Sequence, residues 1–168
     1  MNHVIWIANL FQAHYTVRTL RIRHNRQTRR DKSRDTCNTR DIVQYQFTSW
    51  PDHGTPAHNI TPVLSFIKKS SAACQESDGP LLVHCSAGVG RTGTYIVIDA
   101  MLKQLKSKGE INIQSYLSHI RHQRPFLVQT EEQYILIHDT LGMLWFIIRN
   151  GSNIGLVVFI KQWVDMFA

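Results

Sequence analysis

The string His84-Cys85-Ser86-Ala87-Gly88-Val89-Gly90-Arg91-Thr92-Gly93 sets a thiol six residues ahead of an arginine, with glycines between them. Gly88 and Gly90 let a backbone curl round a tetrahedral dianion without Cβ clashes. A helix starting at the end of the string would add unpaired N–H groups and a dipole that favour an anion there. Those N–H groups would also stabilise the Cys85 thiolate and draw its pKa below the unperturbed ~8.5. Arg91 can grip two oxygens of the anion with its planar fork. Ser86 or Thr92 can give a hydroxyl hydrogen bond to the sulfur. The chemistry implied is attack by a thiolate on a bound phosphate ester.

The Cys-x5-Arg pair alone is weak, because three cysteines and twelve arginines in 168 residues produce one by chance about one time in five. The glycines, His84 and a strand-to-helix setting strengthen it. Other uses of these residues fail on chemistry. No Gly-Lys-Ser/Thr triplet follows the glycines, which excludes a Walker phosphate loop. His84 is adjacent to Cys85, so its ring should point away from the thiol rather than take its proton as in a Cys-His protease. Cys74, His84 and Cys85 lack the paired short spacing of a zinc site, and no metal or cofactor is expected. Cys37 and Cys74 read as small buried hydrophobes.

Positioning this loop requires a strand before it and a helix after it. Leu81-Leu82-Val83, released by Gly79-Pro80, reads as a short buried strand. The pattern Tyr95, Ile98, Met101, Leu102, Leu105 predicts a helix starting near Arg91. Upstream, Tyr15, Val17 and Thr19 alternate with Leu20 and Ile22 as a strand. Residues 24–40 read as a polar turn or loop, and Val43, Tyr45 and Phe47 as a second strand. Trp50-Pro51-Asp52-His53-Gly54-Thr55-Pro56 is a loop bounded by prolines. Val63, Leu64, Phe66 and Ile67 predict a helix with Pro62 in its first turn, and Ile113, Leu117 and Ile120 another. A last helix begins at Thr130, with Gln133 as capping-box partner, and carries Tyr134, Ile137 and Leu141. The fold class is α/β, a mixed twisted sheet flanked by helices.

Residues 84–93 resemble the signature of the protein tyrosine phosphatase family. Residues 50–56 resemble the family's mobile acid loop, and Leu127-Val128-Gln129-Thr130-Glu131-Glu132-Gln133-Tyr134 its glutamine loop, in the family's order. The wording is most similar to receptor-type members, nearest the gamma/zeta subgroup. The resemblance implies Cys85 as nucleophile, Arg91 as phosphate clamp and Asp52 as general acid, then base towards water. It also implies a phosphate cradle of Ser86, Ala87, Gly88, Val89 and Gly90. Gln129 would place the hydrolytic water, supported by Gln133. Trp50 would be a hinge of the closing loop, and Arg124 an arginine that helps hold Arg91; His84 and Thr92 support the site. The reaction implied is hydrolysis of phosphotyrosine in proteins through a phosphocysteine.

The resemblance covers residues 12–141. Residues 1–11 and the apolar tail 142–168 do not resemble the family. The family's domain runs further on its N-terminal side, where a Lys-Asn-Arg-Tyr stretch carries a tyrosine that stacks on the substrate ring. An N-terminally truncated, incomplete fold is therefore expected. The alternative is an inactive fragment that binds phosphotyrosine without turning it over.

Composition bounds the rest. The chain carries 43% hydrophobic and 18% charged residues, as a single globular domain does. The net charge of +7 gathers partly in eight Lys or Arg between Arg18 and Arg34, with no aromatic residue among them. That run reads as a solvated face, and nucleic acid is not an expected partner. Phosphotyrosine-containing proteins are. The three cysteines read as thiols of a reducing compartment, so the cytoplasm, or the cytoplasmic side of a membrane, is the expected location. The apolar runs 141–148 and 154–160 are each far short of the ~20 residues of a membrane span.

Overall fold

The structure is a computed structural model that describes residues 2–24, 38–56, 60–74 and 79–150. Most of the basic run, Cys37 and the apolar run 154–160 lie outside the described residues. The chain forms two compact units, Met1–Ser49 and Trp50–Ala168.

The first unit is an antiparallel meander of β1 (Asn2–Phe11), β2 (Tyr15–His24) and β3 (Asn38–Phe47), in that order across the sheet. Gln12 N–H donates to the Tyr15 carbonyl at 2.9 Å and closes the first turn. β1 is a strand where no element is expected from the sequence. Pairing with β2, not a local pattern, makes it a strand, and the register shifts by one residue between Trp6 and Ala8. β2 and β3 also run further into the polar stretch than expected. Their ladder continues to His24 opposite Asn38 because polar residues pair across it. The Arg21 guanidinium donates to both Asp41 oxygens, at 2.7 and 2.8 Å. Arg18 donates to Gln44 and Gln46 and lies 5.6 Å over the Trp6 ring. Two cations of the basic run are thus spent on strand pairing.

The second unit is helical: α1 (Ile60–Ala72), α2 (Gly90–Lys108), α3 (Ile113–Gln123) and α4 (Glu131–Asn150). α2 packs chiefly on α4, and α1 and α3 flank the pair. Val97, Ile98, Met101, Leu136, Ile137 and Leu141 are almost fully buried between them, each worth about 1.5–3 kcal/mol relative to exposure. Ile67 adds α1 to this core, while Leu117 and Ile120 bury the inner face of α3. Phe66 and Tyr95 meet edge to face, and the Tyr95 hydroxyl lies 2.8 Å from Ser70 Oγ, which fixes α1 against α2.

The helix ends are locally encoded. Gly109 takes φ 74° and its N–H donates to the Leu105 carbonyl, ending α2. Asn112 accepts from Ser115 N–H at 3.0 Å and starts α3. Thr130 and Gln133 form the expected capping box. Thr130 Oγ1 accepts from Gln133 N–H at 3.3 Å, and Gln133 Oε1 from Thr130 N–H at 3.4 Å. α4 runs beyond the expected Leu141 and takes up the first apolar run, burying Leu144. No helix among the described residues is long and apolar enough to cross a membrane.

The strand expected at Leu81-Leu82-Val83 is not formed. Leu81 and Leu82 are 42% and 85% exposed, and the described sheet contains β1, β2 and β3. A strand exists only with a partner for its N–H and C=O groups, and an apolar run cannot specify one.

Candidate active site

Cys85 is a half-buried free thiol just before α2. Burial raises its pKa, but the Thr92 hydroxyl and the N–H groups of Thr92, Gly88 and Val89 more than reverse this and bring it down to about 7. The donors converge because the chain turns at Gly88, with φ 70°, and enters α2 at Gly90. No side chain caps that helix, which leaves its first N–H groups directed at the loop. Of the two candidate hydroxyls, Thr92 therefore serves the sulfur, while Ser86 is exposed. Thr92 Oγ1 is buried and has no hydrogen-bond partner among the described residues. Its proximity nonetheless lowers the pKa of the Cys85 thiol. The His84 ring lies 3.2 Å, through Nδ1, from the Cys85 carbonyl oxygen.

Residues far along the chain hold the loop in shape. Arg124, where α3 ends, donates through Nε to the Gly88 carbonyl at 2.8 Å and through NH2 to the Ala87 carbonyl at 3.1 Å. It thereby braces the backbone between Cys85 and Arg91. A Cβ on Gly88 would sit 3.1 Å from that guanidinium, and one on Gly90 would sit 2.8 Å from Gln133 Nε2. Gln133 lies buried under the start of α2, and its Oε1 also accepts from Gln129 N–H at 2.9 Å. It joins the cradle to the turn that carries Gln129.

That turn is strained. Phe126 and Val128 have φ of 66° and 61°, a region that suits glycine and disfavours a β-branched valine. Each such residue costs about 1–3 kcal/mol. Contacts on both sides maintain the shape. Val128 N–H donates to the Val89 carbonyl at 3.2 Å, and a Cβ on Gly93 would come within 2.3 Å of Val128 N. Arg121 donates through Nε to the Leu127 carbonyl at 2.8 Å and through NH2 to the Val128 carbonyl at 2.7 Å. Sequence reasoning missed Arg121. Its signal was the spacing of three from Arg124, which sets both arginines on a shared face near the end of one helix. Arg121, Val128 and Gln129 also line a cleft of about 460 Å³.

The loop of residues 50–56 meets the Cys85 loop through Arg91. Arg91 NH2 donates to the Pro51 carbonyl at 3.1 Å, and its guanidinium lies 5.5 Å over the Trp50 ring. Trp50 Nε1 donates across the loop to the Gly54 carbonyl at 3.2 Å. Asp52 follows Pro51 directly and is exposed. Arg124 thus holds the Ala87 and Gly88 carbonyls rather than Arg91, and Gln133 joins Gln129 to Gly90, whereas the Arg91 side chain turns to Pro51 and Trp50, the neighbours through which Asp52 is tied in.

The sequence matches the family described as protein-tyrosine phosphatase over residues 4–142, a span that opens inside β1. It is 61% identical to tyrosine-protein phosphatase 99A of Drosophila melanogaster over 128 residues, 76% of this chain and 10% of that protein. It is 50% identical to receptor-type tyrosine-protein phosphatase zeta of Rattus norvegicus over 129 residues, 77% of this chain and 6% of that protein. With tyrosine-protein phosphatase Lar of Drosophila melanogaster it shares 52% identity over 102 residues, 61% of this chain and 5% of that protein. The chain thus spans a tenth or less of the length of these relatives.

Proposed function

The chain belongs to the protein-tyrosine phosphatase family, and from that premise we propose that it hydrolyses phosphotyrosine in proteins through a phosphocysteine. The observation that carries this reading is the convergence of the Thr92, Gly88 and Val89 N–H groups and the Thr92 hydroxyl on Cys85, which brings the thiol to about 7. At neutral pH a large fraction is then thiolate, the nucleophilic form.

In the first step the Cys85 sulfur attacks phosphorus. The S–P bond forms as the bond to the tyrosyl oxygen breaks, and Asp52 gives its proton to the departing phenolate. Loop N–H groups and the Arg91 fork hold the non-bridging oxygens and their growing charge. In the second step Gln129 orients a water and Asp52 takes its proton. The water oxygen attacks phosphorus, and the S–P bond breaks to release inorganic phosphate and regenerate the thiolate. Arg91 links the steps to loop position, because the guanidinium that clamps phosphate also contacts Pro51 and Trp50. The substrates are phosphotyrosine proteins on the cytoplasmic side.

A second reading is a phosphotyrosine trap without turnover. The exposure of Leu81 and Leu82 directly before the nucleophile favours it, since a cradle without its supporting strand can bind an anion yet aim the thiolate poorly. Steady-state hydrolysis of a phosphotyrosine peptide, with acid quench and mass analysis of the Cys85 peptide, separates the two. Turnover with an 80-Da adduct on Cys85 (roughly the mass a phosphoryl group adds) supports the enzyme. Tight binding without adduct or phosphate release supports the trap.

A further inference from the structure

We infer that Arg121 is a positioning residue for the second half of the reaction: its guanidinium holds the turn that aims Gln129. The inference rests on the reading of the site given above. Gln129 is exposed, so its direction follows from its backbone more than from packing around its amide. That backbone leaves a turn with φ of 66° at Phe126 and 61° at Val128. Isolated chains avoid this shape for a β-branched residue, and something must hold it. Val128 N–H is bound on one side by the Val89 carbonyl. The Leu127 and Val128 carbonyls are bound on the other by the two arms of Arg121. The fork matters, since two parallel donors fix both position and rotation of a peptide, which a single ammonium cannot do.

Arg121 and Arg124 therefore divide the work. Arg124 braces the Ala87 and Gly88 carbonyls of the loop that forms the phosphocysteine. Arg121 braces the carbonyls beside the residue that would place the water consuming it. Loss of Arg121 should slow breakdown of the intermediate and leave its formation near the original rate.

The test is rapid-quench kinetics of Arg121→Gln and Arg121→Lys on an aryl phosphate with a good leaving group. Amide hydrogen exchange and thermal unfolding are measured on the same samples. The expected result is phosphocysteine formation within about threefold of the unsubstituted chain and breakdown slower by about 10²-fold, the scale of a misplaced reactant. The intermediate then accumulates. Exchange should quicken at residues 126–130 while α2 and α4 amides keep their protection. Lysine should restore little, because charge without the fork does not fix the turn. If Arg121→Gln does not fold, Arg121→Lys shows the same step slowed. Equal slowing of both steps, full rescue by lysine, or unchanged exchange at 126–130 overturns the inference. An unsubstituted chain that forms no phosphocysteine overturns the reading of the site instead, and this inference with it.

Discussion

The cradle around Cys85 and the loop around Asp52 meet at Arg91 but are built in opposite ways. Guanidinium bonds from Arg124, the buried amide of Gln133 and the Val128 backbone fix the cradle, and Gly88, Gly90 and Gly93 exist in it because side chains would strike these neighbours. Pro51, Asp52, His53 and Gly54 are exposed, and a Cβ on Gly54 would meet nothing within 4 Å. The contrast follows from what each part has to do. Donors aimed at a developing charge help most when they need no reorganisation. A proton donor must admit substrate and product as well as close over them. On the proposed reaction, bracing contacts are concentrated where the anion would bind, and exposure where the acid would work.

The strongest test of the fixed part is Cys85→Ser. Turnover should fall by roughly 10⁴-fold or more, as for loss of a catalytic nucleophile, while phosphopeptide binding by titration calorimetry stays, because the cradle and Arg91 remain. Turnover above a contaminant control would reject Cys85 as nucleophile. The corresponding test of the exposed part is Asp52→Ala, expected to lower kcat by about 10²–10⁴. The loss should shrink on aryl phosphates whose leaving groups need no proton, and an equal loss on good and poor leaving groups would mean that Asp52 is structural.

Two glycines sharpen the comparison in terms of stability. Gly93→Ala places a Cβ 2.3 Å from the Val128 nitrogen, where the obstacle is backbone. Overpacking of this kind costs about 1–3 kcal/mol and should lower thermal stability and activity together. Gly54→Ala meets no neighbour, and its cost is the φ of 72° alone, about 1–2 kcal/mol. It should alter kcat with a smaller change in melting temperature. A larger melting shift for Gly54→Ala would reverse the contrast.

The smallest effect concerns protons. Alkylation of Cys85 by iodoacetamide should rise with pH through a midpoint of about 7, and Thr92→Val should move that midpoint upward. The folded thiol ionises below its ordinary value of 9.0. The thiolate therefore adds stability that is complete above pH 9 and is lost as pH falls through 7. Because Cys85 is half exposed, solvent screens this contribution, and the melting temperature should rise slightly from pH 7 to 9. A midpoint near 9 would show that the donors do not act on the sulfur.

What could be read from the sequence was local. The starts of α2, α3 and α4 and the ends of α2 and α3 depend on apolar spacing, Gly109, and the reciprocal bonds of Thr130 and Gln133, all between residues within five positions of one another. The cradle was legible for the same reason, since Cys85, Gly88, Val89 and Thr92 act on one another across a single turn. The tertiary structure decided the rest. It made residues 2–11 a strand and left Leu81-Leu82-Val83 without one, because a strand depends on a partner elsewhere in the chain. It also set Gln133 under Gly90, Val128 against Gly93, and two arginines on the carbonyls of two turns. Those contacts join segments about 35 to 45 residues apart or depend on a strained backbone, and a one-dimensional pattern carries neither distance nor φ.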